Sequence, residues 1–364
     1  MSRDALLLSG SFGMGHDVMA EACDISLAKR GWTSETMDSL KLMGNAASGI
    51  GERVFRTILS APGAYDAFHF TQLRPGGVIG RFAERASSKY AVPTLTAELE
   101  RRPVDLIVSV FASGAAAASR VKAARGGFTT AVFCTDVCPH SMWVQDSCDL
   151  FLVTSQASAG FVRRFSPDAN IAVVPAPVRP QFYDAPLQDD ARAELDVPPG
   201  QPCVLLMSGS WGLGPITEVA DQLTASGIYT LAVAGNNAKL EAALRKLGAR
   251  RDRLRPFGFT DRIPTLMAAS DVVITSSGDT CTEARVIGRD LLLLDVVPGH
   301  GRENLQQELE RGAAAVASLE PALLVRAAHS ALGRASRPTV CVARTQDAWE
   351  QAFGAALASV GLDG

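Results

Sequence analysis

A motif of an apolar strand followed by a glycine-rich loop occurs twice in this chain, once in each half. Residues 6–16 read LLLSGSFGMGH and residues 205–215 read LLMSGSWGLGP. A strand that runs through a glycine turn into a helix opens many α/β domains. One copy is a weak signal, but two copies indicate that each half begins its own domain. The copies differ at the last position, His16 against Pro215, which suggests different roles.

Length and composition fit a two-domain globular protein. The chain has 364 residues, 47% of them hydrophobic and 20% charged, which is long enough for two cores. Its net charge of −3 argues against a general nucleic-acid-binding protein. The seven scattered cysteines, an odd number, are typical of reduced thiols in the cytoplasm. No apolar run is long enough for a membrane span, and a strand at the N-terminus predicts that there is no signal peptide.

Apolar strands alternate with helical segments along most of the chain, without hairpin signals between them. This pattern predicts parallel sheets, whose ligands bind at the carboxyl ends of the strands. Residues from about 40 to 100 interrupt the pattern and predict an insertion. Residues 175–202 carry seven prolines and predict an interdomain linker. We expect a loop at 297–304 and mostly helix from there to 358.

Further motifs accompany the two glycine loops in a fixed order. They are Gly13-Met14-Gly15-His16, Pro177-Val178-Arg179, Met207-Ser208-Gly209-Ser210-Trp211-Gly212, Phe257-Gly258-Phe259 with Met267 and Ala269-Ser270-Asp271, and Asp295-Val296-Val297-Pro298-Gly299 with Glu303-Asn304. This set resembles GT-B glycosyltransferases. Within them it is similar to the branch that contains monogalactosyldiacylglycerol synthase, processive diacylglycerol glucosyltransferases and the peptidoglycan enzyme that glycosylates lipid I.

The resemblance implies an α/β GT-B fold, in which two Rossmann-like domains face each other across a cleft. Residues 1–178 would form an acceptor domain that carries the insertion, and 203–345 a nucleotide-sugar domain. Residues 179–202 would link them, and 346–364 would form a helix that packs back on the first domain.

The resemblance also implies a function. It predicts an inverting, metal-independent glycosyltransferase that moves a hexose from a nucleotide sugar, UDP-linked, to an acceptor hydroxyl such as that of a glycerolipid. The nucleotide sugar is a co-substrate, so no cofactor is expected. A nucleotide-sugar 2-epimerase or hydrolase, which shares the fold, remains an alternative.

The donor site is predicted on the second half of the chain. The second glycine loop offers backbone N–H groups and a helix N-terminus to a diphosphate, although it could be a turn that binds nothing. Arg179 could pair with the diphosphate or be a surface charge. By the resemblance, Glu283 would accept from ribose hydroxyls; otherwise it is a solvated helix charge. The predicted donor-binding residues are Gly209, Ser210, Gly212, Gly214, Phe259, Thr260, Ser277, Gly278, Thr280, Glu283 and Arg179.

One position departs from the family pattern. Ser276-Ser277-Gly278-Asp279 stands where the family has Lys-Pro-Gly-Gly or Ser-Gly-Gly. A carboxylate there would repel phosphate unless it points away or caps the next helix, and Asp279 suits the N-cap of a helix that starts near Thr280. The departure keeps a non-catalytic nucleotide-sugar-binding protein open as a further alternative.

Two residues compete for the role of catalytic base. His16 ends the first glycine loop, and histidine titrates near neutral pH, so it could take the proton of an acceptor hydroxyl. It could instead orient substrate. Asp136, at a strand end, is the rival base or the partner that orients His16. Gly13, Gly15 and Asn304 are predicted on the acceptor side.

No metal site is predicted. Cys134, Cys138, His140 and Cys148 do not follow the spacing of a zinc motif.

The insertion mixes apolar and cationic residues, which suits a lipid tail and an anionic membrane face. An ordinary packed helical insertion fits equally well. We expect a cytoplasmic protein, peripheral on the inner face of the plasma membrane when it meets a lipid acceptor, and no nucleic-acid partner. The insertion residues concerned are Ile50, Arg53, Val54, Phe55, Arg56, Ile58, Leu59, Phe68, Phe70, Arg74 and Arg81.

Overall fold

The computed structural model forms two compact units. Unit 1 comprises Met1–Pro177, Pro298–His300 and Gln346–Gly364, and unit 2 comprises Val178–Val297 and Gly301–Thr345. The structure describes residues 3–10, 15–44, 63, 66–67, 69–73, 77–209, 212–312, 314–335 and 344–362.

Unit 1 is built on a six-stranded parallel sheet with the order β2-β1-β3-β4-β5-β6. The strands are β1 (Arg3–Ser9), β2 (Trp32–Asp38), β3 (Leu106–Ser109), β4 (Thr129–Phe133), β5 (Leu150–Val153) and β6 (Ile171–Val173). The chain adds β2 on one side of β1 and then crosses to add β3 on the other. Leu8 in β1 therefore lies between Met37 and Ser109. This reversal of direction is a topological switch point, where open α/β sheets bind ligands.

Helices cover the central strands of this sheet, so those strands are apolar on both faces. Helix α1 begins at Gly15, directly after the first glycine loop. The helices before residue 178 are α1 (Gly15–Ala28), α2 (Val78–Arg101), α3 (Ala112–Arg125) and α4 (Gln156–Phe165), with a 3-10 turn at Lys41–Met43 and a π turn at His69–Leu73.

Unit 2 repeats the design with a sheet of order β12-β11-β10-β7-β8-β9, again parallel. The strands are β7 (Cys203–Met207), β8 (Tyr229–Val233), β9 (Leu254–Phe257), β10 (Val272–Ser276), β11 (Asp290–Leu294) and β12 (Ala314–Ala317). Here the switch point lies between β7 and β10. The α/β fold with parallel sheets that the sequence predicts is confirmed in both units.

Two features of unit 2 differ from the expected pattern of loops and helices. The helix α11 begins at His300, so the loop predicted at 297–304 is wrong from that residue on. The segment 179–202 contains α5 and α6, whose Phe182 and Ala191 are buried in the core of unit 2. The helices are α5 (Pro180–Tyr183), α6 (Gln188–Glu194), α7 (Ile216–Ala225), α8 (Ala238–Gly248), α9 (Ile263–Ala269), α10 (Asp279–Ile287), α11 (His300–Glu310) and α12 (Pro321–Arg334).

The final helix, α13 (Arg344–Ala358), packs on unit 1. Its Trp349 is buried and stacks on Phe133, with ring centroids 5.6 Å apart. The indole N–H of Trp349 donates to Ser26 Oγ at 2.9 Å, and Glu350 pairs with Lys29 at 2.9 Å.

Much of the predicted insertion lies outside the described residues. Phe70 is described and is 38% exposed. Arg81 lies within α2. No helix in the described part of the chain has the length and apolarity that crossing a membrane requires. The insertion residues outside the described part are Ile50, Arg53, Val54, Phe55, Arg56, Ile58, Leu59, Phe68 and Arg74.

Candidate active site

His16 lies at the switch point of unit 1, on the first turn of α1. Its Nδ1 is 2.8 Å from the carbonyl oxygen of Val110, the residue that follows β3. Because a carbonyl can only accept, Nδ1 carries the proton in this contact. In the neutral ring Nε2 therefore keeps the lone pair, which makes Nε2 the basic nitrogen of His16.

A phenylalanine ring packs against the His16 imidazole. Phe111 meets it edge to face, with ring centroids 4.8 Å apart. The Phe111 ring occupies the space that a side chain at Gly10 would need, since a Cβ there would lie 2.4 Å from Phe111 Cγ. Gly10, in the first glycine loop, thus makes room for the ring that packs on His16.

Asp136 follows β4 and is held by its own loop. Its Oδ2 accepts from the Trp143 indole N–H at 2.8 Å, and His140 Nε2 lies 3.7 Å from the same oxygen. Burial raises the pKa of Asp136, but His300, His140, the Trp143 N–H and His16 outweigh it, so its pKa lies below the usual range. Asp136 is therefore ionised at neutral pH.

His16 is close enough to Asp136 to lower its pKa. Asp136, however, is not the hydrogen-bond partner of His16, although the sequence suggests that role. The Val110 carbonyl, rather than Asp136, accepts from His16 Nδ1. Sequence reasoning missed Val110, Phe111 and Trp143, because a backbone carbonyl and a buried aromatic carry no motif. Within the described residues, no three side chains are grouped as a metal site would require.

The second glycine loop lies at the switch point of unit 2 and needs its glycines. Gly209, Gly212 and Gly214 have φ values of 59°, 58° and 92°, which disfavour other residues. A Cβ at Gly212 would lie 2.6 Å from Leu240 Cδ2, and one at Gly214 would lie 2.8 Å from Val296 Cγ1. The predicted donor residue Ser210 lies outside the described residues.

The loop after β10 adjoins this site, because β10 is the neighbour of β7. Ser277 donates its hydroxyl to the Gly301 carbonyl at 2.6 Å, which ties the loop to the start of α11. Gly278 is the N-cap of α10, without a side-chain capping bond, and Thr280 is the second residue of that helix. The expectation that Asp279 is the N-cap is therefore wrong. Asp279 is the first helical residue, where its charge still complements the helix dipole.

Arg179 and Glu283 form an ion pair in unit 2, with Nη2 and Oε1 3.6 Å apart. Glu283 is only 6% exposed, and burial raises its pKa to about 7; Arg179 opposes this shift and Asp279 adds to it. The Arg179 guanidinium also lies 5.2 Å from the centre of the Phe182 ring. Its Nε is buried and has no hydrogen-bond partner among the described residues. Arg179 thus keeps donor capacity for a ligand.

The remaining predicted residues are spread over both units. Phe259 is 60% exposed on the loop after β9, and Thr260 Oγ1 accepts from the Arg262 backbone N–H at 3.1 Å. Gly15 begins α1 in unit 1, whereas Asn304 lies on α11 in unit 2. Gly13 lies outside the described residues.

The chain is similar to lipid glycosyltransferases in sequence. It is 30% identical over 195 residues to the processive diacylglycerol beta-glucosyltransferase of Bacillus subtilis (strain 168), which covers 52% of this chain and 51% of that protein. It is 31% identical over 158 residues to monogalactosyldiacylglycerol synthase 2, chloroplastic, of Arabidopsis thaliana, covering 40% of this chain and 33% of that protein. The chain thus matches about half the length of the first relative and less of the second. No protein-family model matches it.

Solved structures match nearly the whole chain. Sucrose-phosphate synthase of Thermosynechococcus elongatus superposes with a TM-score of 0.60 at 16% identity, over 99% of this chain and 97% of that one. Os79 of O. sativa, in complex with UDP, also gives 0.60 at 16% identity, over 97% and 94%. These matches show a GT-B fold, as predicted. The predicted similarity to the diacylglycerol glucosyltransferase and monogalactosyldiacylglycerol synthase type is also confirmed.

Proposed function

We propose that this chain is a glycosyltransferase that moves a hexose from a nucleotide sugar to the hydroxyl of a glycerolipid. The Arg179–Glu283 pair carries the proposal: Glu283 lies on α10, which follows the loop after β10, and Arg179 is the N-cap of α5. The sequence similarity to a diacylglycerol glucosyltransferase and a monogalactosyldiacylglycerol synthase supports the same reaction class and a lipid acceptor.

Unit 2 is assigned to the donor. Backbone N–H groups of the second glycine loop and the start of α7 suit a diphosphate. Arg179 has a buried Nε to donate, so it can compensate the charge that grows on the leaving diphosphate without a metal ion. The Glu283 carboxylate would accept from the two ribose hydroxyls. We assign the nucleotide as UDP, following the resemblance of the second glycine loop and Glu283.

Unit 1 is assigned to the base. His16 Nε2 would take the proton of the acceptor hydroxyl, while Asp136 stabilises the imidazolium that forms. As the acceptor oxygen forms its bond to the anomeric carbon, the bond from that carbon to the diphosphate breaks. A single displacement of this kind inverts the anomeric configuration.

An enzyme that glycosylates a glycerolipid must act at a membrane surface. We propose that the protein is cytoplasmic and binds peripherally to the inner face of the plasma membrane. Flotation with anionic and neutral vesicles tests this part separately: we expect binding to anionic vesicles that weakens with salt. Absence of binding to either vesicle would contradict a lipid acceptor.

A donor panel tests the function as a whole. UDP-glucose, UDP-galactose, UDP-N-acetylglucosamine and GDP-mannose are scored by thermal shift and by hydrolysis, and then for transfer to diacylglycerol and to soluble alcohols. We expect a UDP-hexose to raise Tm and to be transferred to diacylglycerol. Binding and isomerisation of the donor without any acceptor would indicate an epimerase instead, and binding without turnover would indicate a binding protein.

A further inference from the structure

The loop after β4 folds back on the Asp136 carboxylate with two of its own side chains. Trp143, which is 2% exposed, donates its indole N–H to Oδ2 at 2.8 Å. His140, which is 9% exposed, places Nε2 at 3.7 Å from the same oxygen. One oxygen of Asp136 therefore faces two N–H groups from within a single loop.

The local backbone fixes which nitrogen of His140 carries its proton. The backbone N–H of Met142 donates to His140 Nδ1 at 3.3 Å, so Nδ1 holds the lone pair. The neutral ring must then carry its proton on Nε2, the nitrogen on the Asp136 side.

The other titratable groups around Asp136 come from several elements. His16 reaches it from α1, His300 from the segment 298–300, and Cys134 precedes it on its own strand end. The His69 ring lies one step further out, with its centroid 6.5 Å from that of His140 and 6.3 Å from that of His300. His300, His140 and His16 each lower the pKa of Asp136 and so favour its ionised form.

We propose that His140 and Trp143 are positioning residues that hold Asp136 as a permanent anion, so that His16 Nε2 takes the acceptor proton. A carboxylate whose oxygen accepts from an indole N–H and has an imidazole nitrogen 3.7 Å away is a weak base at neutral pH. His16, in contrast, has its Nδ1–H committed to Val110 and its Nε2 lone pair available by tautomer. The role of His16 in transfer rests on the proposed function, but the state of Asp136 does not.

Carboxyl-carbon NMR titration of Asp136 tests whether His140 and Trp143 keep it ionised, without any assay of activity. We expect His140→Phe and Trp143→Phe each to raise the pKa of Asp136, because each removes an N–H group. His140→Gln, whose amide can still donate, should keep the pKa near that of the parent protein. Far-UV circular dichroism confirms that each variant is folded. An unchanged pKa in both phenylalanine variants would overturn the proposal.

A pH profile of transfer then tests the assignment of the base. We expect Asp136→Asn to keep measurable transfer at a lower plateau, since the anion that stabilises an imidazolium is gone. His16→Ala should lose the plateau by about 10²-fold or more. Loss of all transfer in Asp136→Asn, with the plateau kept in His16→Ala, would overturn the proposal. If the parent protein transfers no sugar, the proposed function fails. The NMR titration still tests whether His140 and Trp143 keep Asp136 ionised.

Discussion

Arg179 and Glu283 face each other in unit 2 at 3.6 Å, although 103 residues separate them in the chain. The sequence assigns each of them to a different part of the donor, Arg179 to the diphosphate and Glu283 to the ribose. Their pairing means that each holds the other in place before a donor arrives. The bond is long for an ion pair, and the Arg179 Nε is buried without a partner among the described residues, so a ligand can improve the arrangement.

The first prediction concerns the stability of Glu283→Gln as a function of pH. The Glu283 carboxyl has a pKa of about 7 in the fold instead of 4.5, so the folded state holds this proton across that interval and the unfolded state does not. Its contribution to stability is therefore present at low pH and is lost as pH rises from about 4.5 to 7, by up to about 3 kcal/mol. We expect urea unfolding at about pH 5 and pH 8 to show that the free energy of unfolding of the parent protein, relative to that of Glu283→Gln, is higher at the lower pH.

Glu194→Gln is the control for this experiment. Glu194 pairs with Arg262 in the same unit but is half exposed, so its removal should change stability by less than about 1 kcal/mol at either pH. A Glu283→Gln difference that is the same at both pH values would contradict a buried carboxyl with a raised pKa.

The second prediction concerns Gly212→Val in the second glycine loop. A Cβ at this position meets Leu240 Cδ2 at 2.6 Å and the Ala234 carbonyl oxygen at 3.0 Å, at a backbone φ of 58°. We expect loss of donor affinity by at least about tenfold, because the N–H groups of the loop must move. Isothermal titration with UDP measures it.

Gly200→Ala separates backbone strain from crowding. Gly200 has a φ of 70°, but a Cβ there would have no neighbour within 4 Å. We expect this variant to lose about 1 kcal/mol of stability and to bind UDP as the parent protein does. Equal loss of UDP binding in both variants would show that strain anywhere in unit 2, rather than the loop itself, is responsible.

Some strands and helices can be predicted from the sequence, because neighbouring residues set where they begin and end. The apolar runs predicted before the two glycine loops are found as β1 (Arg3–Ser9) and β7 (Cys203–Met207), because each run ends directly at its own glycine-rich turn. The start of α11 could not be predicted in the same way. Its residues 300–310 are mostly polar, and Pro298-Gly299 suggests a break, so no apolar period indicates the helix.

The residues of the candidate site also include some that the sequence predicts and some that it does not. Glycines that need a positive φ are visible in the sequence, since no other residue serves there as well. The partner of His16 is not visible, because it is the carbonyl of Val110, 94 residues away, and any residue could supply it. Trp143 is invisible for a related reason: its contact with Asp136 depends on how the loop after β4 folds back.

The third prediction concerns Gly10→Ala at the switch point of unit 1. The added Cβ would lie 2.4 Å from Phe111 Cγ, so the ring must move away from its edge-to-face contact with His16. We expect a stability loss of about 1–3 kcal/mol and a lower kcat, with UDP affinity unchanged because UDP is assigned to unit 2. Gly160→Ala is the control, since that helical position is exposed and a Cβ there meets nothing within 4 Å. A normal kcat in Gly10→Ala would count against the positioning of His16 by Phe111.

The fourth prediction concerns the last helix. Trp349 stacks on Phe133 and Phe353 and is 3% exposed, so Trp349→Ala should cost about 3–5 kcal/mol of stability in urea unfolding. Trp349→Phe keeps the ring but loses the hydrogen bond to Ser26, and should cost about 1–2 kcal/mol. Equal losses in the two variants would mean that the hydrogen bond, rather than the packing, attaches the helix.

Transfer of a sugar from a UDP-hexose to diacylglycerol is the reaction that the two assigned sites together predict. The full chain is incubated with UDP-glucose or UDP-galactose and diacylglycerol vesicles, and the lipid fraction is examined by mass spectrometry and by proton NMR at the anomeric position. We predict a β-linked hexosyl-diacylglycerol from an α-linked donor, formed by the parent protein and by Gly200→Ala and lost in Gly212→Val and His16→Ala. Consumption of the donor without any glycolipid, or a product that keeps the α configuration, would contradict an inverting lipid glycosyltransferase.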